Sequence, residues 1–330
     1  IVDRLHHQHW KLHHFVEERF RRLQKNVRRA LGWSSLQGDR FLADITLAIC
    51  DQLAPDARVA QTPQELKQGL YLSERPHSLI RIRQRDREQG RLNLCEFRQR
   101  IFQEVAFAEL TEPERKAVDS AIDAVLLDWL VTGRLDPDRF DRTDEFTSEE
   151  ARDALKLAIL RWNSADSGPE TQNRRAGLAS ALARLVELDA SQYLWDQALQ
   201  SAMTFADLTW DGADLAEISV YWQITVIDLL LQFREFPRAK LLLKRLRQQM
   251  AHSPVLEKDQ SHLRDSALVL ERLGTVHEQI GDRASAHEMY EESLKIRRQI
   301  VADFGSTPES LRDVSISLNR VGDMALSDGD

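Results

Sequence analysis

The chain is poor in the residues that build disulfide frameworks and membrane-spanning helices. Two of its 330 residues are cysteines, Cys50 and Cys95, and they form no Cys-x-x-Cys pair. We therefore expect neither a disulfide framework nor a cysteine-based zinc site. No run of 18 apolar residues occurs, so we predict no membrane-spanning helix. No secretion signal is recognisable at the N-terminus either. These absences favour a cytoplasmic protein.

Motifs of catalysis and nucleotide binding are missing as well. The sequence has no Walker-type phosphate loop, no Gly-x-Gly-x-x-Gly, no His-Glu-x-x-His and no Gly-x-Ser-x-Gly. His6, His9, His13 and Glu17 share one stripe of a predicted helix and could present metal ligands. Packing and surface exposure explain this histidine cluster without a metal, and we favour that interpretation. We therefore expect no catalytic site, metal or cofactor within this chain.

Amphipathic helices account for most of the sequence. Near the N-terminus, leucine and valine recur at spacings of four and seven, which places on one helix face Leu5, Leu12, Val16, Leu23 and Val27. Thr-x-x-Glu sequences at 62–65, 111–114 and 147–150 are typical of capping boxes that begin helices. A further helix is predicted over 41–49, and one short strand over 78–85. We predict an all-α protein, with a helical N-terminal domain followed by a solenoid of antiparallel helix pairs.

Composition changes along the chain and predicts how it divides. Residues 1–110 hold 19 Lys and Arg against 14 Asp and Glu, about +5, whereas the remainder carries about −13. Polar stretches rich in turn-forming residues occupy 133–146 and 163–175. We therefore predict three segments: a mostly helical domain over 1–135, a helix and linker over 136–170, and helical repeats over 171–330.

An internal repeat of 48 residues is the clearest pattern in the sequence. Five residues of one copy recur in the next, where Leu270, Leu273, Gly274, Gly281 and Asp282 align with Leu318, Val321, Gly322, Gly329 and Asp330. In the first copy, Gly281 and Asp282 lead directly into a second helix that carries Ala286, Tyr290 and Ser293. The unit of the repeat is therefore a pair of helices.

This pattern resembles the tetratricopeptide repeat (TPR), in which two antiparallel helices pack so closely that small residues are needed where they cross. Gly274 matches the small position of the first helix. Ala286 and Ser293 match those of the second helix, and Tyr290 matches the large aromatic residue between them. Leu270 stands where the family commonly has Trp, so the match is incomplete.

Three segments share the pattern to a decreasing degree: 260–330, 214–251 at an offset of 47 residues and, loosely, 174–209. The 48-residue spacing exceeds the usual 34 residues of the family by 14, about four helical turns. Each helix is therefore expected to be about two turns longer than usual. Ile227 falls where Gly274 stands in the later pair, so we expect the earlier pair to be degenerate or splayed.

The resemblance implies a function in protein binding. TPR arrays bind peptides or protein surfaces in the groove that stacked helix pairs form. Similar arrays in multidomain bacterial proteins are joined to an ATPase of the STAND type or to a caspase-like protease. We therefore expect a non-catalytic interaction scaffold or regulatory module, with a protein or peptide partner in the groove. Trp210 and Trp222 are candidates to anchor that partner.

An arginine-rich segment leaves a second class of function open. Residues 79–100 contain seven arginines, and guanidinium groups bind phosphates and carboxylates through paired contacts. The candidate contacts for an anion or an acidic partner are Arg81, Arg83, Arg85 and Arg87. The alternative function is thus a nucleic-acid-binding or enzyme-associated N-terminal domain, with the repeats as a platform. A solvated surface that pairs with the acidic later part of the chain explains the same segment.

The last copy of the repeat is incomplete. It stops at "MALSDGD" (324–330), where the second helix of the pair would begin. Apolar residues of its helix would normally be covered by that second helix, among them Leu311, Leu318, Val321 and Leu326. We expect the chain to be a fragment of a larger protein with further domains.

Overall fold

A computed structural model describes residues 2–53, 63–75, 77–82, 94–137, 147–163, 171–210, 218–251 and 259–328. Within these residues α-helices predominate and strands are confined to one small sheet. The prediction of an all-α protein is therefore confirmed, and the fold is consistent with a helical solenoid. Contacts divide the chain into two compact units, 1–164 and 165–330.

The described part of the first unit consists of helices around a three-stranded sheet. Its helices are α1 (Val2–Arg21), α2 (Lys25–Ser35), α3 (Ala43–Leu53), α4 (Pro63–Glu74), α5 (Arg100–Ala108), α6 (Glu112–Val131) and α7 (Ser148–Asn163). Its strands are β1 (Arg40–Leu42), β2 (Ile80–Ile82) and β3 (Leu94–Phe97). Helix α7 lies in the segment predicted as helix and linker, and it contacts α6 and β1 of this unit.

Two of the capping boxes form where the sequence predicts them. At the start of α6, the backbone N–H of Thr111 donates to Glu114 Oε2 at 3.1 Å. At the start of α7 the exchange is reciprocal, since Thr147 N–H donates to Glu150 Oε2 at 2.7 Å and Glu150 N–H to Thr147 Oγ1 at 3.4 Å. These bonds satisfy backbone donors that have no partner within the helix. The third box includes Thr62, which lies outside the described residues.

The sheet has the order β1–β3–β2 and both pairings are antiparallel. Strand β2 lies within the segment where a strand was predicted. The helix predicted over 41–49 was wrong at its start, because Phe41 and Leu42 belong to β1 and α3 begins at Ala43. The rings of Phe41 and Phe97 pack with their centroids 5.2 Å apart, which places β1 and β3 in the hydrophobic core of this unit.

The described part of the second unit consists of α8 (Thr171–Ser191), α9 (Trp195–Trp210), α10 (Val220–Gln232), α11 (Phe236–Ala251), α12 (Gln260–Gln279), α13 (Arg283–Phe304) and α14 (Pro308–Asp328). Consecutive helices pack as the pairs α8–α9, α10–α11 and α12–α13. Contacts between neighbouring pairs arrange the helices in two rows. We call α8, α10, α12 and α14 the first-helix row, and α9, α11 and α13 the second-helix row.

One type of tight turn joins the two helices of each of these pairs. Each turn has one residue in the left-handed region, at Tyr193 (φ 59°), Arg234 (φ 61°) and Gly281 (φ 83°). The next residue donates its N–H at 2.8 Å to the carbonyl five positions back, Leu194 to Asp189, Glu235 to Leu230 and Asp282 to His277. This is the Schellman motif, in which glycine is usual at the left-handed position. Of these three turns, only the one at Gly281 has glycine at the left-handed position. The sequences of the two earlier turns therefore do not show that they have the same conformation.

Replacement of Arg234 by glycine is expected to stabilise the protein by about 0.5–1 kcal/mol. A residue with a Cβ is strained by about 1–2 kcal/mol in the left-handed region, and the greater freedom of glycine in the unfolded chain offsets part of the gain. Gly281→Ala is the matched opposite change. A Cβ at this position meets no atom within 4 Å, so the expected loss of about 1 kcal/mol comes from the backbone. Urea unfolding measures the change in the free energy of unfolding for both variants. A destabilising effect of Arg234→Gly would contradict the conclusion that the three helix pairs share one type of turn.

Candidate functional site

Helices α12 and α13 approach each other closely where they cross at Gly274 and Tyr290. A Cβ on Gly274 would lie 2.5 Å from Cε1 and 2.7 Å from Cδ1 of Tyr290. Tyr290 is 1% exposed, and Ala286, one turn earlier on α13, is fully buried. Leu270 and Leu273 are buried on α12. The ring of Tyr290 therefore fills the space that a side chain at Gly274 would need.

Hydrogen bonds fix the orientation of this ring. The hydroxyl of Tyr290 donates to Glu278 Oε2 at 2.8 Å and lies 3.3 Å from Thr275 Oγ1. Burial, reinforced by the nearby Glu278 carboxylate, raises the pKa of Tyr290 to about 12. Further along α13, Ser293 Oγ donates to the carbonyl of Ala267 at 2.8 Å. The small residue Ser293 thus also ties the two backbones together.

The turn between α12 and α13 is held by Asp282, the N-cap of α13. Its carboxylate accepts the N–H of Ser285 at 3.2 Å and lies 2.8 Å from His277 Nδ1. Hydrogen bonds from Ser285 and then from His277 hold the pKa of Asp282 below its usual value. The predicted repeat residues of α12, of the turn and of α13 therefore lie together in one interface.

A chain of charged side chains links four helices of the unit. Asp228 of α10 accepts a hydrogen bond from Arg272 of α12 at 2.6 Å. The preceding residue of α12, Glu271, is buried and lies 2.5 Å from Arg297 Nη2 of α13. Arg297 also donates to the carbonyl of Asp313 on α14 at 2.8 Å. Because Glu271 and Arg297 are both desolvated, each needs the other as a partner.

Sequence reasoning did not identify this charged chain. A signal for it exists, since Glu271 stands between Leu270 and Leu273 on the apolar face of α12. A carboxylate at such a position requires a cation or several donors. Which of the many arginines supplies the cation depends on the crossing of α12 and α13, and helical periodicity alone does not give that crossing.

Helix α14 repeats the sequence pattern of α12 in different surroundings. One face packs on α13 through the buried residues Ser310, Ser317 and Met324, and Val321 packs against the cluster of Tyr290 and Met324. Its adjacent face is apolar and exposed, with Leu311 at 51%, Leu318 at 44% and Leu326 at 76%. A Cβ on Gly322 would meet no atom within 4 Å. Gly329 and Asp330, predicted to continue the pattern, lie outside the described residues.

Polar contacts join neighbouring helices along both rows. In the first-helix row, the hydroxyl of Tyr221 donates to Glu187 at 3.0 Å, and Arg264 pairs with Glu309 at 3.2 Å. In the second-helix row, the corresponding ion pairs are Arg238–Asp207 at 3.1 Å and Arg247–Glu292 at 2.8 Å. The side of the first-helix row that faces solvent therefore combines residues from several helices into one surface.

Trp222, one of the two tryptophans proposed as anchors, does not line that surface as expected. Trp222 is 9% exposed, and the guanidinium of Arg184 lies over its ring at 4.8 Å. Its neighbour Tyr221 is 60% exposed and presents an aromatic ring on the first-helix row. The side chain of Trp210 lies outside the described residues.

A cavity of about 380 Å³ lies between α11, α12 and α13. Its walls include the apolar side chains of Met250, Leu263 and Ile296, while Arg247 and Glu292 supply charged groups. These two residues are the ion pair that connects α11 with α13. An apolar wall next to a few polar groups is the usual composition of a binding pocket, and this one would admit an apolar group of a ligand.

Of the four candidate arginines in the first unit, one lies within the described residues. Arg81 is exposed in the middle of β2, opposite Glu96 of β3, whereas Arg83, Arg85 and Arg87 lie outside the described residues. His77 lies four residues before Arg81 in the sequence. The pKa of His77 is lowered by burial and by the charges of Arg19 and Arg22.

The described residues contain no group of three or more His, Cys, Asp or Glu side chains that could hold a metal ion. His13 lies 3.3 Å from Glu17, and the side chains of His6 and His9 lie outside the described residues. Cys50 and Cys95 are both buried and are not joined in a disulfide. Burial, together with Glu74, raises the pKa of Cys95 to about 12, so its reactive thiolate is disfavoured.

In the part of the chain that the structure describes, no helix combines the length and the apolar character needed to cross a bilayer.

No family model and no curated protein matches this chain. Among solved structures, it is similar to the crystal structure of BtubC (BKLC) from P. vanneervenii. The two chains are 17% identical, and the match covers 66% of this chain and 85% of the other, with a TM-score of 0.34. A likeness at this level carries no argument about function.

The two equivalent glycines of α12 and α14 should respond in opposite ways to alanine. Gly274→Ala is expected to destabilise the protein by about 1–3 kcal/mol, because the new methyl group overlaps the ring of Tyr290. Gly322→Ala is expected to be neutral or stabilising by up to about 1 kcal/mol, because the methyl group meets open space in a helix interior. Thermal and urea unfolding of the two variants measure the difference. Equal destabilisation by both would contradict the described packing.

Proposed function

We propose that this chain is a non-catalytic scaffold that binds a peptide or protein along the first-helix row. The observation that carries the proposal is the row itself, in which side chains from neighbouring helices form one continuous surface. Its cross-helix contacts hold these helices in a fixed arrangement, for example Tyr221–Glu187 and Arg272–Asp228. Preorganisation of this kind lowers the entropic cost of binding an extended partner.

The chemistry of the row suits a peptide with both polar and aromatic contacts. Tyr221 is the large exposed aromatic residue of α10, and tyrosine is enriched among the residues that dominate binding energy. Asp228, Arg272, Arg264 and Glu309 place alternating charges across three neighbouring helices. Alternating charges favour a partner of complementary pattern over one of uniform charge.

The resemblance to TPR proteins supports the same proposal and extends it. On that resemblance, we propose that the scaffold acts as a regulatory or docking module of a bacterial multidomain protein in the cytoplasm. A STAND-type ATPase or a caspase-like protease is the kind of effector that such a module would regulate. The repeated Schellman turns at Tyr193, Arg234 and Gly281 support a repeat array throughout the second unit.

The binding proposal is tested by selecting a displayed peptide library on the full chain. Selected peptides should bind the unaltered chain, and Tyr221→Ala and Thr225→Arg should each weaken that binding by about tenfold or more. The first change removes the exposed ring, and the second obstructs the surface one turn further along α10. Fluorescence anisotropy measures the affinities.

Lys244→Ala is the matched control, because Lys244 is exposed on α11 in the second-helix row. It should leave the affinity of the selected peptides unchanged. Failure to enrich any peptide, or equal weakening by Lys244→Ala, would contradict binding along the first-helix row. Circular dichroism of each variant separates lost binding from lost folding.

Nucleic-acid binding by the first unit is the second proposal, and the cationic residues around His77 favour it. Arg22 and Arg81 are exposed, and the guanidinium of Arg19 donates to the carbonyl of His77, which places a further cation beside His77. If the proposal holds, the full chain binds RNA or DNA with strong salt dependence. Each of Arg22→Ala and Arg81→Ala should lower the slope of log K against log salt by about one.

Lys116→Ala, an exposed change on α6, should leave that slope unaltered. A chain that shows no binding at low salt, or a slope that Lys116→Ala lowers as much as the arginine changes, would exclude this function for the arginines named.

A further inference from the structure

The cavity between α11, α12 and α13 has two opposite charges beside an aliphatic wall. The charges belong to Arg247 of α11 and Glu292 of α13, whose side chains lie 2.8 Å apart. The apolar side chains described in the wall are aliphatic and include Met250, Leu263, Val269, Leu270 and Ile296. The volume of about 380 Å³ is within the usual range of small-molecule pockets, roughly 300–1,000 Å³. The cavity therefore suits a small ligand that is aliphatic at one end and charged at the other.

The charged residues of the cavity are open to solvent, whereas its wall is not. The side chains of Arg247 and Glu292 are 44% and 42% exposed, while Val269 and Leu270 are buried. A ligand that enters beside the ion pair keeps its charged groups in contact with water and buries its apolar part. This orientation avoids the large cost of moving a charge into the interior.

The ion pair has capacity for further charged partners. Arg247 Nη2 donates to Glu292 Oε1 at 3.1 Å and to Oε2 at 2.8 Å, and Arg247 Nη1 lies 3.5 Å from Met289 Sδ. A guanidinium has more N–H donors, and a carboxylate more lone pairs, than these contacts use. A second anion can therefore bind Arg247, and a cation can bind Glu292, without breaking the ion pair.

We propose that this cavity binds a free aliphatic amino acid, such as leucine or methionine, as a zwitterion. The α-carboxylate accepts hydrogen bonds from Arg247, and the α-ammonium donates to Glu292. The side chain of the amino acid lies against the aliphatic wall, where its burial is favourable. This inference goes beyond the proposed function, because it concerns a small-molecule site beside the ion pair of the second-helix row and not the peptide surface of the first-helix row.

Charge complementarity favours a zwitterion over a ligand with one charge. A fatty acid or the C-terminal carboxylate of a protein would pair with Arg247 but would bring a second negative charge beside Glu292. An amine would pair with Glu292 but would add a positive charge beside Arg247. Like charges in such proximity are unfavourable. In a free amino acid each charged group meets an opposite charge and forms a charge-assisted hydrogen bond.

A ligand in the cavity would also strengthen the contact between neighbouring helix pairs. Arg247 belongs to the pair α10–α11, and Glu292 belongs to the pair α12–α13. The proposed ligand bonds to both residues and fills the space between the two pairs. It therefore binds the folded chain in preference to the unfolded chain, and the melting temperature should rise with the concentration of the amino acid.

The test measures binding of L-leucine to the full 330-residue chain by isothermal titration calorimetry. Saturable binding with a micromolar to millimolar dissociation constant is expected for so small a ligand, together with the rise in melting temperature. Glycine, isocaproate and isoamylamine should each bind at least about tenfold more weakly than leucine. They lack, in turn, the aliphatic side chain, the ammonium and the carboxylate.

Two substitutions locate the site. Glu292→Gln should weaken leucine binding by about tenfold or more but should not weaken isocaproate binding, because the lost charge attracts the ammonium alone. Ser266→Leu should weaken the binding of leucine and methionine alike, because Ser266 lines the cavity and the larger side chain occupies the space of the ligand. Circular dichroism establishes that each variant folds, and Glu292→Gln tests the proposal by itself if Ser266→Leu does not fold.

Asp207→Asn is the matched control for Glu292→Gln. Asp207 forms the other ion pair of the second-helix row, with Arg238, and it is not among the described residues that line the cavity. This change should alter the affinity for leucine by less than about twofold. Absence of saturable leucine binding, or equal weakening by Asp207→Asn and Glu292→Gln, would overturn the proposal.

One further ligand distinguishes the rival occupant. N-acetyl-leucine has the carboxylate and the side chain of a protein C-terminus but no ammonium. It should bind at least about tenfold more weakly than leucine. If N-acetyl-leucine or isocaproate binds as tightly as leucine, the cavity is a site for carboxylates, and its assignment to a free amino acid is wrong.

Discussion

The seating of the Tyr290 ring over Gly274 is the contact on which the later part of the second unit depends. Helix axes approach more closely when one side lacks a side chain, and a planar ring fills the gap without leaving a void. This approach brings Ser293 to the carbonyl of Ala267 and Glu271 to Arg297. Because Arg297 also holds α14 through the Asp313 carbonyl, the position of α14 follows from the crossing of α12 and α13.

The two units bury their apolar residues in different ways. In the first unit, residues from α1, α2, α4, α5 and the sheet form one contiguous core cluster. In the second unit, each layer packs on the next, as Met324 of α14 packs with Ala286 and Tyr290 of α13. A layered core has no single centre, and its stability is the sum of contacts between neighbours. It therefore presents long helical faces to solvent, which a contiguous core does not.

Helices and their starts could be predicted from the sequence because their causes are local. The Thr111 and Thr147 capping boxes and the glycine of the Gly281 turn depend on residues a few positions apart. Strands β1 and β3 could not be predicted, because a strand of three or four residues shows too little alternation of apolar and polar residues. The strands that they pair with are also distant in sequence. The left-handed conformation of Tyr193 and Arg234 could not be predicted, because neither turn has the glycine that usually marks this conformation. The small residue Gly274 indicated where α12 and α13 cross. The Glu271–Arg297 pair could not be predicted in the same way, because it depends on the geometry of that crossing.

The layered core also couples binding to stability at the end of the array. In a solenoid, an inner helix such as α12 is covered on both sides, and here α11 and α13 supply that cover. Helix α14 is covered by α13 on one side, while Leu318 and Leu326 on another side are exposed to solvent. Anything that covered these leucines would bind the folded state in preference to the unfolded state, and would stabilise α14 by an amount that rises with its concentration. A change that loosens α13 would also displace α14, because Arg297 joins the two helices. The position of the exposed α14 leucines therefore depends on the packing of Tyr290 on Gly274, although neither residue belongs to that exposed face.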